Sequence, residues 1–101
     1  MSSEDAILTI SVAANLLKLH PRTLMLYEKS DLIKPFRTNT QRRLFSIKDL
    51  ERLQFVKYLT QAEGINLKGV KILLEAIKIA EDSNVSLRKI LFPNFKPVGL
   101  V

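Results

Sequence analysis

The apolar positions of this 101-residue chain fall at helical spacing over most of its length, with two short interruptions that read as extended. Ile10, Ala13, Ala14 and Leu17 form one stripe, with Thr9 or Ser11 placed to cap it. Leu24 and Tyr27 form the buried side of a second short helix over residues 20–28. Pro21 fits its first position, because that amide has no helical partner to lose, and His20 stands at the cap. Only Lys18 and Leu19 separate the two helices, which leaves room for a tight corner. Residues 32–35 and 44–45 read as two short extended pieces around the polar, basic stretch 36–43, the outline of a β-hairpin with Asn39 and Thr40 at its turn. Ile7 and Leu8 suggest one more extended piece at the end of an otherwise fraying segment 1–9.

From Ser46 the helical period returns. Ile47, Leu50, Leu53, Val56 and Leu59 make a stripe broadened by Phe55, with Ser46 as cap, Asp49 in the first turn and Gly64 as terminator. Asn66 caps the next helix, whose stripe is Leu67, Val70, Leu73, Leu74 and Ile77 and which runs to Ala80. Ile72 and Ile79 lie off that stripe. A second exposed apolar face suggests a subunit contact, unless the C-terminal residues fold back over it. Residues 81–84 read as a loop, Ser86 as the cap of a short turn through Leu91, and the tail with Pro93 and Pro97 as irregular. The expected fold is mainly α, a winged helix-turn-helix followed by two longer helices. Its divisions are a flexible 1–9, a winged helix-turn-helix domain at 10–80 and a short segment 81–101.

Charge gives this outline a direction. Residues 6–43 hold seven basic side chains (Lys18, Arg22, Lys29, Lys34, Arg37, Arg42, Arg43) against Glu28 and Asp31, which is five of the six net positive charges. Charge gathered beside a helix-turn-helix outline suits a polyanion, although a lysine-rich solvated surface would look the same by charge alone. Arg22 and Thr23 lie in the first turn of the second helix, where a recognition helix meets base edges, and Leu26 lies off its buried side. Lys18 and His20 at the corner complete that set. Arg37, Arg42 and Arg43 are the natural phosphate clamps of the hairpin, with Thr38, Asn39 and Thr40 as hydrogen-bonding neighbours.

Zero cysteines exclude a disulfide framework and a thiolate metal site. The single histidine, with no carboxylate pair or phosphate-cradling loop, gives no basis for an enzyme, and no cofactor is expected. No apolar run reaches a membrane span and Glu4 and Asp5 stand where an export signal wants positive charge, so the reading expects a cytoplasmic, nucleoid-associated protein. Glu28 reads as the partner of a neighbouring lysine or arginine.

Residues 10–74 resemble the DNA-binding domain of the MerR-type bacterial transcription regulators. The pieces are Arg22-Thr23-Leu24 with Tyr27-Glu28, Leu32-Ile33 with Pro35, Arg43-Leu44-Phe45, Asp49-Leu50 with Leu53, and Gly64 with Leu67 and Val70. Val12-Ala13-Ala14, His20-Pro21 and the run 63–70 look most like the heat-shock repressor (HspR) branch. The resemblance implies a winged helix-turn-helix, a homodimer and a bent double-stranded operator of two inverted half-sites. It carries Arg22, Thr23 and Tyr27 to the recognition helix and Arg43 to the wing. The chain departs from the family at Lys18, where glycine is usual and a left-handed lysine costs about 1 kcal/mol. Met25 and Leu26 replace an arginine and a tyrosine, and Arg42 stands where tyrosine is common. Residues 81–101 are too short for the family's long dimer helix with a sensor domain. The expectation is therefore a dimer built on Ile72, Ile79, Leu87, Ile90 and Leu91, with no small-molecule effector. Two other readings stay open: an excisionase-like architectural protein that bends DNA, and a protein-interaction module that does not bind DNA.

Overall fold

Two short helices set the geometry of everything else. The computed structural model describes residues 4–99. Helix α1 (Ile10–Leu17) starts at Thr9, whose hydroxyl accepts the Val12 N–H at 3.3 Å, and it buries Ala13, Ala14 and Leu17. Helix α2 (Pro21–Lys29) starts at His20, whose Nδ1 accepts the Arg22 N–H at 3.0 Å, and it buries Leu24 and Tyr27. The corner between them is made by Lys18 in the left-handed region, φ 56° and ψ 44°. The Lys18 N–H donates to the Asn15 carbonyl at 3.1 Å and the Leu19 N–H to the Ala14 carbonyl at 2.9 Å, which closes the last turn of α1. Lys57 Nζ donates to the Leu17 carbonyl at 2.9 Å and satisfies one more terminal acceptor. The strained lysine expected at this corner is present.

Asp31 repeats the device at the end of α2, with φ 61° and the Leu32 N–H donating to the Tyr27 carbonyl at 2.9 Å. The Leu32 carbonyl in turn accepts from Arg52 Nε at 2.7 Å. Both backbone groups of Leu32 are thus used, and residues 32–35 do not form the first hairpin strand that the sequence suggested. That strand comes later. Strands β1 (Leu8–Thr9), β2 (Phe36–Arg37) and β3 (Arg43–Phe45) form an antiparallel sheet in the order β1-β3-β2. Leu8 lies opposite Phe45, Thr9 opposite Leu44, Phe36 opposite Leu44 and Arg37 opposite Arg43. Residues 8 and 9 are therefore tied to the wing rather than part of a loose N-terminal segment.

Helix α3 (Ile47–Lys57) opens with a reciprocal cap: Ser46 Oγ accepts the Asp49 N–H at 3.0 Å and Asp49 Oδ2 accepts the Ser46 N–H at 2.9 Å. It buries Leu50, Leu53, Phe55 and Val56, then passes into a π-helical turn (Tyr58–Ala62) that ends at Gly64, φ 66°. Helix α4 (Leu67–Asp82) is capped by Asn66 Oδ1, which accepts the Gly69 N–H at 2.8 Å, and runs two residues past the expected Ala80. Helix α5 (Leu87–Leu91) follows, with Ser86 at its cap position but no side-chain cap bond.

Leu24, Phe45, Leu50, Leu53, Val56, Leu59 and Val70 are fully buried where these elements converge. The C-terminal tail does fold back, onto α3. The rings of Phe92 and Phe95 lie 5.1–6.2 Å from those of Phe55 and Tyr58, and Gln54 Nε2 donates to the Val98 carbonyl at 2.8 Å. Ile72 and Ile79 stay uncovered, 61% and 68% exposed.

Candidate nucleic-acid interface

The face of α2 opposite Leu24 carries Arg22, Met25, Leu26 and Lys29, all exposed and all in line at three-, four- and seven-residue spacing. Arg22 and Thr23 occupy the first turn. Thr23 is half-buried, and His20 is exposed with its Nδ1 engaged by the Arg22 N–H in the cap. Lys18 lies exposed at the corner one turn below.

Tyr27 is not part of this surface. The resemblance assigned it to DNA, whereas the structure places it in the core, 3% exposed, with its hydroxyl 3.2 Å from Thr60 Oγ1. Thr60 Oγ1 itself donates to the Lys57 carbonyl at 3.0 Å, so Tyr27 acts as the donor between them. Its position on the same side as Leu24 is what the helical period demands.

The wing is joined to α2 through Glu28. Arg43 Nε donates to Glu28 Oε1 at 2.6 Å, and Arg37 Nη2 to Glu28 Oε2 at 3.0 Å. Arg37 Nη1 also donates to the Gln41 carbonyl at 2.9 Å. One carboxylate from the helix therefore gathers two guanidinium groups from the two strands of the hairpin, and fixes the angle between hairpin and helix. Partial burial pushes the Glu28 carboxyl upward, but the hydrogen bonds and charges of Arg43 and Arg37 outweigh it, and its pKa lies below the ordinary carboxylate value. This changes the expected roles of the clamps. Arg37 and Arg43 are partly neutralised and held in place. Arg42 is exposed, and among the described residues its side chain makes no hydrogen bond or ion pair, so it is the freest of the three cations.

Thr38 builds the turn: its N–H donates to the Arg42 carbonyl at 3.0 Å and its Oγ1 accepts the Arg42 N–H at 3.1 Å. Gln41 takes the left-handed position, φ 66°. Asn39 and Thr40 are exposed at the tip. The sequence implies that Glu28 pairs with a neighbouring cation; that it ties the wing to the helix follows only from the register of β2 and β3, which sets Arg37 opposite Arg43. Met25, which the resemblance marks as a departure from the family's arginine, and Lys29 join Arg22 on this face, as the helical spacing requires.

Of the residues expected at a subunit contact, Ile72, Ile79, Ile90 and Leu91 are exposed. Leu87 is not available in the same way, since it is half-buried against the core.

Comparison with known proteins bears on this arrangement. The family described as MerR HTH family regulatory protein matches residues 8–77. The heat shock protein HspR of Streptomyces coelicolor is 43% identical over 75 residues, covering 74% of this chain and 50% of the relative. The HTH-type transcriptional regulators GlnR of Bacillus anthracis and Bacillus cereus are each 35% identical over 101 residues, covering 89% of this chain and 78% of theirs. The chain thus spans about half the length of the HspR relative and most of the length of GlnR.

Proposed function

This chain belongs to the MerR HTH family of regulatory proteins, and on that footing we propose that it is a sequence-specific, DNA-binding transcription regulator, acting as an HspR-like repressor. The observation that carries the reading is the exposed row on α2 beginning at Arg22, with a cationic wing held beside it by Glu28. Helix and wing can then meet a major groove and its flanking phosphates together. Repression asks only that a promoter be occupied, and the place of action is the nucleoid. Among the described residues no helix is long and apolar enough to cross a membrane.

The repressor works as a homodimer in this reading. Ile72 and Ile79 on α4, with Ile90 and Leu91 on α5, supply an apolar surface of the kind a subunit contact uses. Sedimentation over a range of concentrations tests this, and a monomer mass at every concentration would count against it.

Selection of bound duplexes from a random pool at near-physiological salt tests the function itself. An inverted repeat should be enriched. Binding without enrichment would support an architectural DNA-bending role instead, and absence of binding would support the interaction-module reading.

A further inference from the structure

Met25 and Leu26 are 40% and 49% exposed in the middle of the α2 face. They do not anchor the helix, because Leu24 and Tyr27 already do so from the opposite side. Arg22 stands one turn before them and Lys29 one turn after, both exposed. A second copy of the same face would bring these cations against their own kind, so self-association is opposed. A duplex is not. Cations at both ends of the row draw it between two phosphate backbones, and that leaves the apolar centre against the floor of the major groove.

Neither a thioether nor an isobutyl group can donate a hydrogen bond to a base edge. The thymine C5-methyl is the one strongly apolar group that the major groove displays. We propose that Leu26 and Met25 are specificity-determining residues that read thymine methyl groups, and that this chain's operator therefore carries thymine opposite the centre of α2. The inference rests on the DNA-binding reading above and names what that surface recognises.

The test uses the full chain and the duplex enriched from the random pool, with each thymine replaced in turn by deoxyuridine, which removes only the methyl. At one or two positions in each half-site the affinity should fall about fourfold, the value of one buried carbon group. Leu26→Ala or Met25→Ala should bring the thymine-to-uracil ratio at its own position close to one. Both side chains are exposed, so these variants keep the core intact. Arg42→Ala, on the wing, should weaken binding while leaving the ratio unchanged. An enriched site with no thymine in its half-sites overturns the proposal. So does a duplex indifferent to every replacement, or a ratio that survives in both α2 variants. Failure of the DNA-binding reading is distinguishable, because it shows as loss of all duplex affinity before any uracil is introduced.

Discussion

Helices α2 and α4 each expose apolar side chains on a face that the described residues leave uncovered, and the charges around the two faces differ. On α2, Met25 and Leu26 lie inside the row and Arg22 and Lys29 flank them. On α4, Ile72 and Ile79 alternate along the row with charges of both signs, Lys68 and Asp82 outside them and Glu75 between them. Exposure alone would assign both faces to the same kind of partner. Charge separates them. The α2 face presents cations only and is suited to a polyanion, whereas the α4 face carries both signs and is suited to another protein surface. The α2 face is also held from behind by buried Leu24 and at its side by the Glu28 ion pairs, while among the described residues none covers Ile72 or Ile79 on the α4 face.

The largest expected effect sharpens that contrast. Leu24→Ala leaves a cavity behind the α2 face and should cost roughly 2–5 kcal/mol in a denaturant melt. Ile79→Ala, on the open face, should change the stability of the dilute protein by no more than about 0.5 kcal/mol. Equal costs would mean that the α4 face is already packed.

Next in size is the wing. Arg42→Ala should reduce the slope of log affinity against log salt by about 0.9, the signature of one lost phosphate contact. Arg43→Ala should reduce the slope by less, because Arg43 already shares Glu28 with Arg37. If Arg43 proved the stronger of the two, Glu28 would have to release it on binding.

Much of this architecture was legible in the sequence, because it depends on local rules. Thr9, His20, Ser46 and Asn66 all cap the helices they precede, with Pro21 in the first position of α2. Ala13, Ala14 and Leu17 of the α1 stripe are buried as their spacing predicts, with Ile10 half-buried, and so are Leu50, Leu53 and Val56 of α3. What was not legible depends on distant partners. The apolar pair Leu32 and Ile33 looks like a strand, but Leu32 spends its backbone on Tyr27 and Arg52. The strand instead forms at Phe36 and Arg37, where β3 supplies the ladder. The π-helical turn at Tyr58–Ala62 has no sequence signal, and the docking of Phe92 and Phe95 on α3 follows from aromatic contacts that no period announces. At the candidate site, the first turn of α2 was found from its position. The seating of Tyr27 in the core was plain from the helical period, and the resemblance obscured it.

Two smaller effects probe how the α2 face is held. Lys18→Gly relieves a left-handed side chain and should raise stability by about 1 kcal/mol or less, since glycine also loosens the unfolded chain. It removes a cation as well, so duplex affinity should fall while the melt improves. A melt that worsens would place another constraint at the corner. The smallest effect is at Glu28. Its folded pKa is depressed, so its contribution to stability is complete above the ordinary glutamate pKa and is lost as pH falls through the lower folded value. Glu28→Gln should remove that part of the acid-side slope in melts below about pH 5. An unchanged slope would mean that the ion pairs do not hold in solution.

The account turns on which apolar face meets DNA, and methyl resonances report that directly. In protein labelled at leucine and isoleucine methyls, held at one concentration, titration with the enriched duplex should shift Leu26 strongly and leave Ile79 near its starting position. Movement of Ile79 with Leu26 unmoved would assign the DNA to the wrong face and contradict the account.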